Sequence, residues 1–338
     1  MTRYDVFNGD ADGLCSRQQM RLAEPVEAVL VTGVKRDNRL LHKVPAREGD
    51  QVLALDIALP GNRDALLELL QAGAQVRYVD HHEPGELPSH PNLQLLIDTD
   101  PQTCTSVLVD RLLGGAARAW AVVGAYGDNM VAAAEQLANA LGLDAQTRTR
   151  WRELGECLNY NAYGVTEQDL VYPPAQLALA MAGHSDPDAF ISTGPYFERL
   201  SRTRHEDLQQ ASAHTPRFCS GGALLHLLPN ADWARRVFGS YANQCVNADP
   251  QRAHAVAVPR RGRNAAQEPS VSATEQPAYL VSLRVPVGAA RSAHQVCSAF
   301  GGGGRARAAG IDALEDLEAL AAALAIAFPE RISSGRTP

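Results

Sequence analysis

The sequence predicts a two-domain α/β protein, with a doubly wound, mostly parallel sheet in its N-terminal part and a smaller α/β unit in its C-terminal part. Three observations lead to this prediction. Short apolar runs alternate with helix-like stretches through the first half, which is typical of parallel strands covered by helices on both faces. A second block of strands and helices starts at Gly221. The 338 residues also fit two domains of about 150 residues each better than one.

The elements of the N-terminal part follow one another in a regular order. Apolar runs predict five buried strands: Tyr4–Phe7, Ala28–Val31, Val52–Leu55, Val76–Val79 and Leu93–Ile97. Periodic stretches predict the helices between and after them: Leu14–Leu22, Arg63–Gln71, Ser106–Leu113, Ala117–Tyr126 and Val131–Leu141. The segment from Asp144 to Ala182 is also predicted to be helical, because Trp151, Leu154 and Leu158 have helical spacing.

The C-terminal part begins after a connector that prolines and polar runs place at residues 186–215, so the predicted domains are 1–185 and 216–330. Apolar runs predict strands at Ala223–Leu228, His254–Val258 and Tyr279–Val285. Periodic stretches predict helices at Ala231–Cys245, Ser292–Phe300 and Leu314–Phe328. The polar stretch Arg260–Gln276, with a basic cluster at 260–263, is predicted to be a flexible hairpin loop. The residues after Pro329 are predicted to be a frayed tail.

Composition and charge limit the classes of function. The formal net charge is −7, which disfavours non-specific binding of a nucleic-acid backbone but allows a nucleotide substrate if a bound metal supplies positive charge. The N-terminus has no apolar signal-peptide region, and the longest apolar run, Leu317–Phe328, contains Glu318 and is too short to span a bilayer. Six cysteines without a C-x-x-C pair suit reduced thiols. We therefore expect a cytoplasmic protein that does not contact a membrane.

Acidic residues follow the ends of several predicted strands. The segment Asn8-Gly-Asp-Ala-Asp-Gly follows the first strand, Asp56 the third, and Asp80, His81 and His82 the fourth, while Asp128 follows a helix. Because ligands bind outside the carboxyl ends of parallel strands, these side chains are expected to share one edge of the sheet. Each acid taken alone also fits a turn or a helix N-cap, and residues 10–13 also fit an isolated calcium-type loop.

A cluster of carboxylates at one edge must take up protons or bind cations. Aspartate and histidine together suit a divalent transition metal, and the excess of carboxylate oxygen favours Mn²⁺. Two ions about 4 Å apart would activate a water and stabilise both oxygens of an in-line phosphoryl displacement.

The ordered set of motifs resembles that of the DHH phosphoesterase family. Residues 79–84 (Val-Asp-His-His-Glu-Pro) are similar to the family signature, residues 7–13 to its first motif, Leu55-Asp56 to its second and Gly127-Asp128 to its fourth. Residues 98–100 and 104–107 resemble the segment that follows the signature. Residues 300–310 resemble the glycine loop of the associated DHHA1 domain. The resemblance spans nearly the whole chain.

The resemblance implies a metal-dependent phosphodiesterase with its active site in a cleft between a DHH and a DHHA1 domain. It implies one or two Mn²⁺ ions, with Asp10, Asp56, His81 and Asp128 as ligands and Asp56 as the bridge. It further implies that Asp80 orients a histidine and that His82 touches the substrate phosphate. On this basis the predicted catalytic residues are Asp80, His81 and His82, and the predicted metal ligands are Asn8, Asp10, Asp12, Asp56, His81 and Asp128.

The sequence departs from the family at two positions. Asn8 stands where much of the family has an aspartate ligand, so one metal site is expected to be weaker or to be completed by Asp12. Arg305 stands where the glycine loop commonly carries a histidine, and a guanidinium can grip phosphate through two hydrogen bonds. The residues Gly301, Gly302, Gly303, Gly304 and Arg305 are predicted to bind substrate together with His82. A flexible turn is the alternative for the glycine run.

The function predicted from these motifs is hydrolysis of short linear nucleotides, such as the dinucleotide pGpG or a few-nucleotide RNA. A long nucleic acid is not expected as a partner, because the sequence shows no extended basic track. A homodimer is expected from family habit. The alternatives are a phosphoesterase for cyclic dinucleotides or for pAp, an inorganic pyrophosphatase, and a catalytically weak nucleotide-binding protein.

Overall fold

The computed structural model describes residues 1–260 and 278–329. It divides the chain into two compact units, Met1–Arg204 and a second unit that begins at His205. The predicted domain bounds at 185 and 216 stay a prediction. Apart from Arg260, the predicted hairpin loop and its basic cluster lie outside the described residues, as does the predicted tail. In the described ranges, no helix combines the length and the apolar character needed to cross a membrane.

The first unit contains a five-stranded parallel sheet. Its strands are β1 (Arg3–Phe7), β2 (Val29–Val31), β3 (Gln51–Leu55), β4 (Gln75–Asp80) and β5 (Leu93–Ile97), in the order β2-β1-β3-β4-β5. All five predicted strands are confirmed, and so is the parallel, doubly wound sheet. The chain runs from β1 to β2 on one side of it and then returns past β1 to form β3 on the other side. This change of direction makes the carboxyl ends of β1 and β3 the topological switch point, where open α/β sheets bind ligands.

The helices of the first unit cover both faces of this sheet. They are α1 (Ala11–Ala23), α2 (Arg63–Gln71), α3 (Thr105–Leu112), α4 (Arg118–Gly127), α5 (Val131–Ala140), α6 (Ala145–Ala162), α7 (Pro174–Met181), α8 (Pro187–Ser192) and α9 (Tyr196–Ser212), which ends in the second unit. Alternate residues of a strand serve different cores: Val6 belongs to the core that contains α2, and Phe7 to the core that contains α1, α3 and α4. The helices α8 and α9 fill most of the predicted connector.

Two predicted strands are less buried than expected. β2 and β5 are the edges of the sheet, and most of their residues are partly or fully exposed. The expectation of buried strands was wrong for this pair because an edge strand has a neighbour on one side only. Apolar content alone did not distinguish them from the central strands.

Two glycines allow α4 and α6 to approach closely. A Cβ atom on Gly155 would lie 2.3 Å from the Val123 carbonyl oxygen and 2.9 Å from the Gly127 nitrogen, both backbone atoms. Gly127 is the last residue of α4, directly before Asp128. The close approach of these helices therefore helps to fix the position of that carboxylate.

Gly155→Ala is expected to lower the free energy of unfolding by about 1–3 kcal/mol, the usual cost of an overpacked core. In a helix, alanine is more favourable than glycine by about 1 kcal/mol. A net loss of stability in Gly155→Ala would therefore come from the clash between the added Cβ atom and the backbone of α4. Chemical denaturation measures the change. Gly183→Ala is the matched control, because no atom lies within 4 Å of its added Cβ. Equal stability of Gly155→Ala and the wild type would contradict the packing account.

The second unit contains a mixed six-stranded sheet. Its strands are β6 (Phe218–Ser220), β7 (Ala223–Leu227), β8 (Ala253–Pro259), β9 (Tyr279–Arg284), β10 (Gly303–Gly304) and β11 (Ala308–Leu314), in the order β10-β11-β9-β8-β7-β6. Only β7 and β8 pair in parallel. Its further helices are α10 (Asp232–Ala248), α11 (Ala293–Ser298) and α12 (Leu317–Ala327). The predicted smaller α/β unit is confirmed.

One predicted boundary in the second unit was wrong. Leu314 ends the strand β11 instead of starting the last helix, which begins at Leu317 after Asp316. The Asp316 side chain accepts hydrogen bonds from the backbone of Glu318 and Ala319 and so caps the helix. An aspartate after a short apolar run is a cap signal, and the prediction overlooked it.

Candidate metal centre

The acidic residues predicted from strand ends meet at the carboxyl edge of the five-stranded sheet. They are Asp10 and Asp12 after β1, Asp56 after β3, Asp80, His81 and His82 at the end of β4, and Asp128 after α4. All of them are buried except Asp128 and His82, which are partly exposed. The group lies at the topological switch point of the sheet.

His81 lies at the centre of this group. Its Nε2 atom is 3.5 Å from Asp56 Oδ1 and 3.9 Å from both Asp12 Oδ2 and Asp128 Oδ2. One ligand atom each from Asp12, His81 and Asp128 lies within 4.8 Å of the others, and the same holds for Asp56, His81 and His82. Three carboxylates therefore lie 3.5–3.9 Å from one imidazole nitrogen, close enough for a single cation to bind between them.

The segment before and at the start of α3 holds two of these side chains in place. The Nδ1 atom of His81 is 3.0 Å from the Thr103 carbonyl oxygen, and an N–H donated there leaves the lone pair of Nε2 facing the carboxylates. The two oxygens of Asp12 accept the backbone N–H groups of Thr105 and Ser106, at 2.8 and 2.7 Å, and one also accepts the Ser106 hydroxyl. Asp12 is therefore fixed against the N-terminus of a helix, where negative charge is favoured.

Asp56 adopts a backbone conformation that aspartate rarely uses. Its φ angle is 56°, in the left-handed region. Its side chain accepts a hydrogen bond of 3.2 Å from the Thr105 hydroxyl. Burial, followed by the charges of Asp10 and Asp12, raises the pKa of Asp56 well above its usual range. A strained, charge-crowded carboxylate at a sheet edge is typical of a functional residue.

Asp10 and Asn8 shape the turn after β1. Asp10 caps α1 by accepting the backbone N–H groups of Asp12 and Gly13, each at 3.1 Å. The Asn8 amide oxygen accepts the Asp10 N–H at 3.2 Å, and its nitrogen donates to the Lys35 carbonyl at 3.4 Å. The helix-cap alternative therefore holds for Asp10. The Asn8 side chain forms its hydrogen bonds with backbone groups. Their predicted roles as metal ligands stay a prediction.

Lys35 brings a positive charge to the same edge, from the loop after β2. Its ammonium group forms an ion pair with Asp10 Oδ2 and donates to Asn159 Oδ1 at 3.2 Å. It also lies 5.7 Å from the centre of the Tyr163 ring. Burial lowers the pKa of Lys35, but the charge and hydrogen bond of Asp10, with the charges of Tyr163 and Asp128, together outweigh burial and raise it above its usual range. For Asp10, burial raises the pKa, but the charge and hydrogen bond of Lys35, with hydrogen bonds from Gly13 and Asp56, together outweigh burial and lower it.

Asp80 and His82 form a pair beside the carboxylate cluster. His82 Nδ1 is 2.7 Å from Asp80 Oδ1, and the His82 side chain is 41% exposed. Burial lowers the pKa of His82, but the hydrogen bond and charge of Asp80, together with the charge of Asp56, outweigh burial, and the net shift is upward. The ring centres of His81 and His82 are 4.5 Å apart. The two histidines therefore face different partners, and His82 is the more accessible of them.

Lys35, Thr105 and Ser106 were not predicted to act in the site. Lys35 follows an edge strand at the same carboxyl edge as the predicted acids, and this position was the signal that the sequence offered. Thr105 and Ser106 were noted only as part of a family-like segment. Their backbone N–H groups lie at the N-terminus of α3, and for this reason they donate hydrogen bonds to Asp12.

The donor set fits a divalent cation. Burial raises the pKa of Asp12 as well, an effect that His81 partly offsets and that Asp128 and Asp10 reinforce. Like charges about 4 Å apart repel by about 4 kcal/mol at an effective dielectric of about 20. A bound cation would therefore reduce a large electrostatic repulsion between the carboxylates. Carboxylate oxygens with one imidazole suit Mn²⁺ or Mg²⁺ better than a soft metal.

Neither a protein-family model nor a curated protein matches this sequence. Solved structures do match its fold. A DHH domain from a protein described as a member of the s1p family of ribosomal proteins has a TM-score of 0.62 and 11% identity, covering 96% of this chain and 86% of its own. This chain has the DHH fold. The fold expected from the motifs is therefore confirmed.

Two further DHH-fold structures cover nearly the whole chain. The exonuclease RecJ bound to manganese has a TM-score of 0.57 and 19% identity, over 99% of this chain and 92% of its own. The pGpG-specific phosphodiesterase PggH from Vibrio cholerae has a TM-score of 0.54 and 15% identity, over 97% of this chain and 100% of its own. At these identities the similarity establishes the DHH fold of the chain.

The predicted glycine loop lies in the second unit, at the hairpin of β10 and β11. Cβ atoms on Gly302 and Gly304 would lie 2.2 Å from the Gly310 carbonyl oxygen and 2.5 Å from the Ala309 Cα atom. Backbone packing within the hairpin therefore explains two of the four glycines. Gly301 and Gly303 face open space, and Gly301 has a φ angle of 73°. Arg305 lies in the exposed turn of this hairpin. Substrate binding by this loop stays a prediction.

Proposed function

We propose that this protein is a metal-dependent phosphodiesterase that hydrolyses short linear nucleotides such as pGpG. The observation that carries the proposal is the position of His81 Nε2 within 3.5–3.9 Å of three carboxylates at the switch point of a DHH fold. Two proteins of similar fold, a manganese-bound exonuclease and a pGpG-specific phosphodiesterase, support the reaction class.

The proposed ligands of the metal are Asp12, Asp56, His81 and Asp128, with Mn²⁺ as the favoured ion. When bound, a divalent cation supplies a water of lowered pKa as nucleophile and neutralises charge on the phosphate. The contacts of Thr105 and Ser106 with Asp12 fix this ligand before the cation arrives. Outer contacts of this kind orient ligands and tune the affinity of a metal site.

Lys35 is proposed to supply a second, built-in positive charge. Its ammonium group already neutralises Asp10, and Asn8 brings no charge to the turn. This arrangement favours a single metal ion with a neighbouring ammonium group over two metal ions. A fixed cation beside the reacting phosphate stabilises the negative charge that develops on its oxygens during hydrolysis.

His82 and the glycine loop are proposed to bind the substrate. Asp80 holds the imidazole of His82 in one orientation, and the exposed part of the ring is available to a phosphate oxygen. Arg305 is proposed to grip a terminal phosphate through its guanidinium, with Gly301 and Gly303 leaving room for the ligand at its side. A short substrate agrees with the net charge of −7, which disfavours binding of a long nucleic-acid backbone. A cytoplasmic location and a homodimer are part of the same proposal.

Product analysis tests the proposal. The purified protein is incubated with Mn²⁺ and offered pGpG, pApA, a 5-mer and a 20-mer RNA, cyclic di-GMP, pAp and pyrophosphate in separate reactions. The proposal predicts rapid conversion of the linear dinucleotides to mononucleotides, with the 20-mer and the cyclic dinucleotide spared. Preferential hydrolysis of the 20-mer, of pyrophosphate or of cyclic di-GMP would contradict the proposed substrate class. Binding of pGpG without hydrolysis would contradict the enzyme and favour a nucleotide-binding protein.

A further inference from the structure

A second group of metal-type ligands lies in the second unit, on the face of its sheet that packs against α10. His226 is on β7, His254 is on β8, and Cys245 is on α10. The parallel register pairs Leu224 with His254 and His226 with Val256, so both histidines point to the same face. Both are buried, and Cys245 is partly buried.

The three side chains approach one another closely. One ligand atom from each lies within 4.8 Å of the other two. The Cys245 Sγ atom is 3.9 Å from His226 Nε2, and the rings of His226 and His254 are stacked with centres 6.4 Å apart. With Zn–N and Zn–S bonds of about 2.0 and 2.3 Å, a tetrahedral zinc ion separates such a sulfur and nitrogen by about 3.5 Å. A shift of a few tenths of an ångström would bring the Cys245 sulfur and the His226 nitrogen to that separation.

Hydrogen bonds orient the two imidazoles as they do in metal sites. His254 Nε2 is 3.0 Å from the Asp249 carbonyl oxygen, and an N–H donated there leaves Nδ1 with a lone pair. That Nδ1 atom is buried and has no hydrogen-bond partner within the described residues. His226 Nδ1 faces the Tyr241 hydroxyl at 3.4 Å, which leaves Nε2 facing the sulfur. An imidazole bound to metal usually donates its other N–H to a carbonyl or a similar acceptor.

Packing alone does not explain this arrangement. A buried polar atom without a partner costs about 1–3 kcal/mol, and a purely apolar face under α10 would avoid that cost. A metal ion bound to His254 Nδ1 would supply the missing partner.

We propose that His226, Cys245 and His254 bind a zinc ion. The set of two imidazoles and one thiolate is softer than the oxygen-rich cluster around His81, so the two sites are expected to select different metals. The site links α10 to β7 and β8, and its bound ion would stabilise the second unit. Three protein ligands leave the fourth position of a tetrahedral ion to a water. The proposal is independent of the phosphodiesterase activity.

Cobalt spectroscopy on the full chain tests this site. Co²⁺ substitutes for zinc, and a cobalt–thiolate bond gives a charge-transfer band in the near-ultraviolet that ligation by oxygen and nitrogen alone does not give. Titration of the metal-free protein with Co²⁺ is expected to produce this band at the intensity of one cobalt–thiolate centre per chain, whatever further Co²⁺ the His81 cluster takes up. Added Zn²⁺ is expected to remove the band and to raise the temperature of unfolding.

Three variants assign the band to the proposed ligands. Cys245→Ser is expected to lose it, whereas Cys219→Ser, which changes an exposed cysteine, and Asp12→Asn, which weakens the His81 cluster, are expected to keep it. A folded wild-type protein without the band would overturn the proposal, whatever the stability of Cys245→Ser. A band that survives in Cys245→Ser and disappears in Asp12→Asn would overturn it as well.

Discussion

Asp56→Asn is expected to stabilise the metal-free protein and to abolish hydrolysis. The substitution removes a carboxyl group whose pKa is raised by burial and by the charges of Asp10 and Asp12, so ionising it in the folded state is costly. The free energy of unfolding near neutral pH should therefore rise by about 1 kcal/mol or more. Asparagine tolerates the left-handed backbone at φ 56° and keeps an oxygen for the Thr105 hydroxyl. Chemical denaturation in a chelator measures the first effect. Initial rates on pGpG, expected to fall at least about 100-fold, measure the second.

Added Mn²⁺ distinguishes a lost ligand from a damaged fold. At 100 times its dissociation constant, a ligand that binds only the folded state stabilises it by about 2.7 kcal/mol. The wild type is expected to gain this amount, and Asp56→Asn is expected to gain little. Asp64→Asn, an exposed carboxylate on α2, is the matched control and should behave like the wild type. A metal-free Asp56→Asn protein less stable than the wild type, or an active one, would contradict the electrostatic account.

Lys35→Met is expected to lower kcat about 10²–10³-fold, the usual cost of removing one preorganised group that stabilises developing charge. The Mn²⁺ bound at His81 is expected to remain, because the ion pair of Lys35 is with Asp10, which is not one of the proposed ligands. Metal analysis after gel filtration is expected to find one ion in the wild type and at least one in the variant. Lys43→Met is the matched control, since Lys43 pairs with Asp37 on the exposed surface of the same region.

The stability of the Lys35 variant needs its own control. Removing Lys35 leaves the buried Asp10 without its cation, and breaking a buried pair in this way costs about 3–5 kcal/mol. The double variant Asp10→Asn/Lys35→Met removes both charges and is expected to recover most of that stability while remaining inactive. Recovery of activity together with stability would show that Lys35 serves the fold alone. A wild type that binds two Mn²⁺ ions per chain would contradict the role of Lys35 as a built-in cation.

The strand-end acids could be predicted from sequence because the apolar composition of parallel strands reveals where each strand ends. Their apolar runs end at the same edge, so Asp12, Asp56 and Asp80 had to lie near one another. The sequence did not reveal the order of the strands in the sheet. For that reason it did not reveal the position of the switch point either. Lys35 was missed for this reason: its strand, β2, is a three-residue edge, and its partner Asn159 is more than 120 residues away in sequence.

The second unit shows a different limit of sequence reasoning. β6, β10 and β11 were not predicted, because two of them are only two or three residues long and the third carries alanines and a glycine in place of β-branched residues. Pairing makes them strands: β6 pairs with β7, β11 with β9, and β10 with β11. The spacing of the β7 and β8 histidines in sequence carries no metal signature. Only the register of the two strands brings them together.

The most direct test of the central claim is hydrolysis of pGpG by one preparation in three states. The protein is stripped of metal, reloaded with Mn²⁺, and compared with Asp12→Asn carried through the same steps. The account predicts no mononucleotide from the stripped protein, rapid release from the reloaded wild type, and at least about 100-fold slower release from the variant. Equal rates in the stripped and reloaded protein, or an Asp12→Asn variant as fast as the wild type, would show that the His81 cluster is not the centre of the reaction.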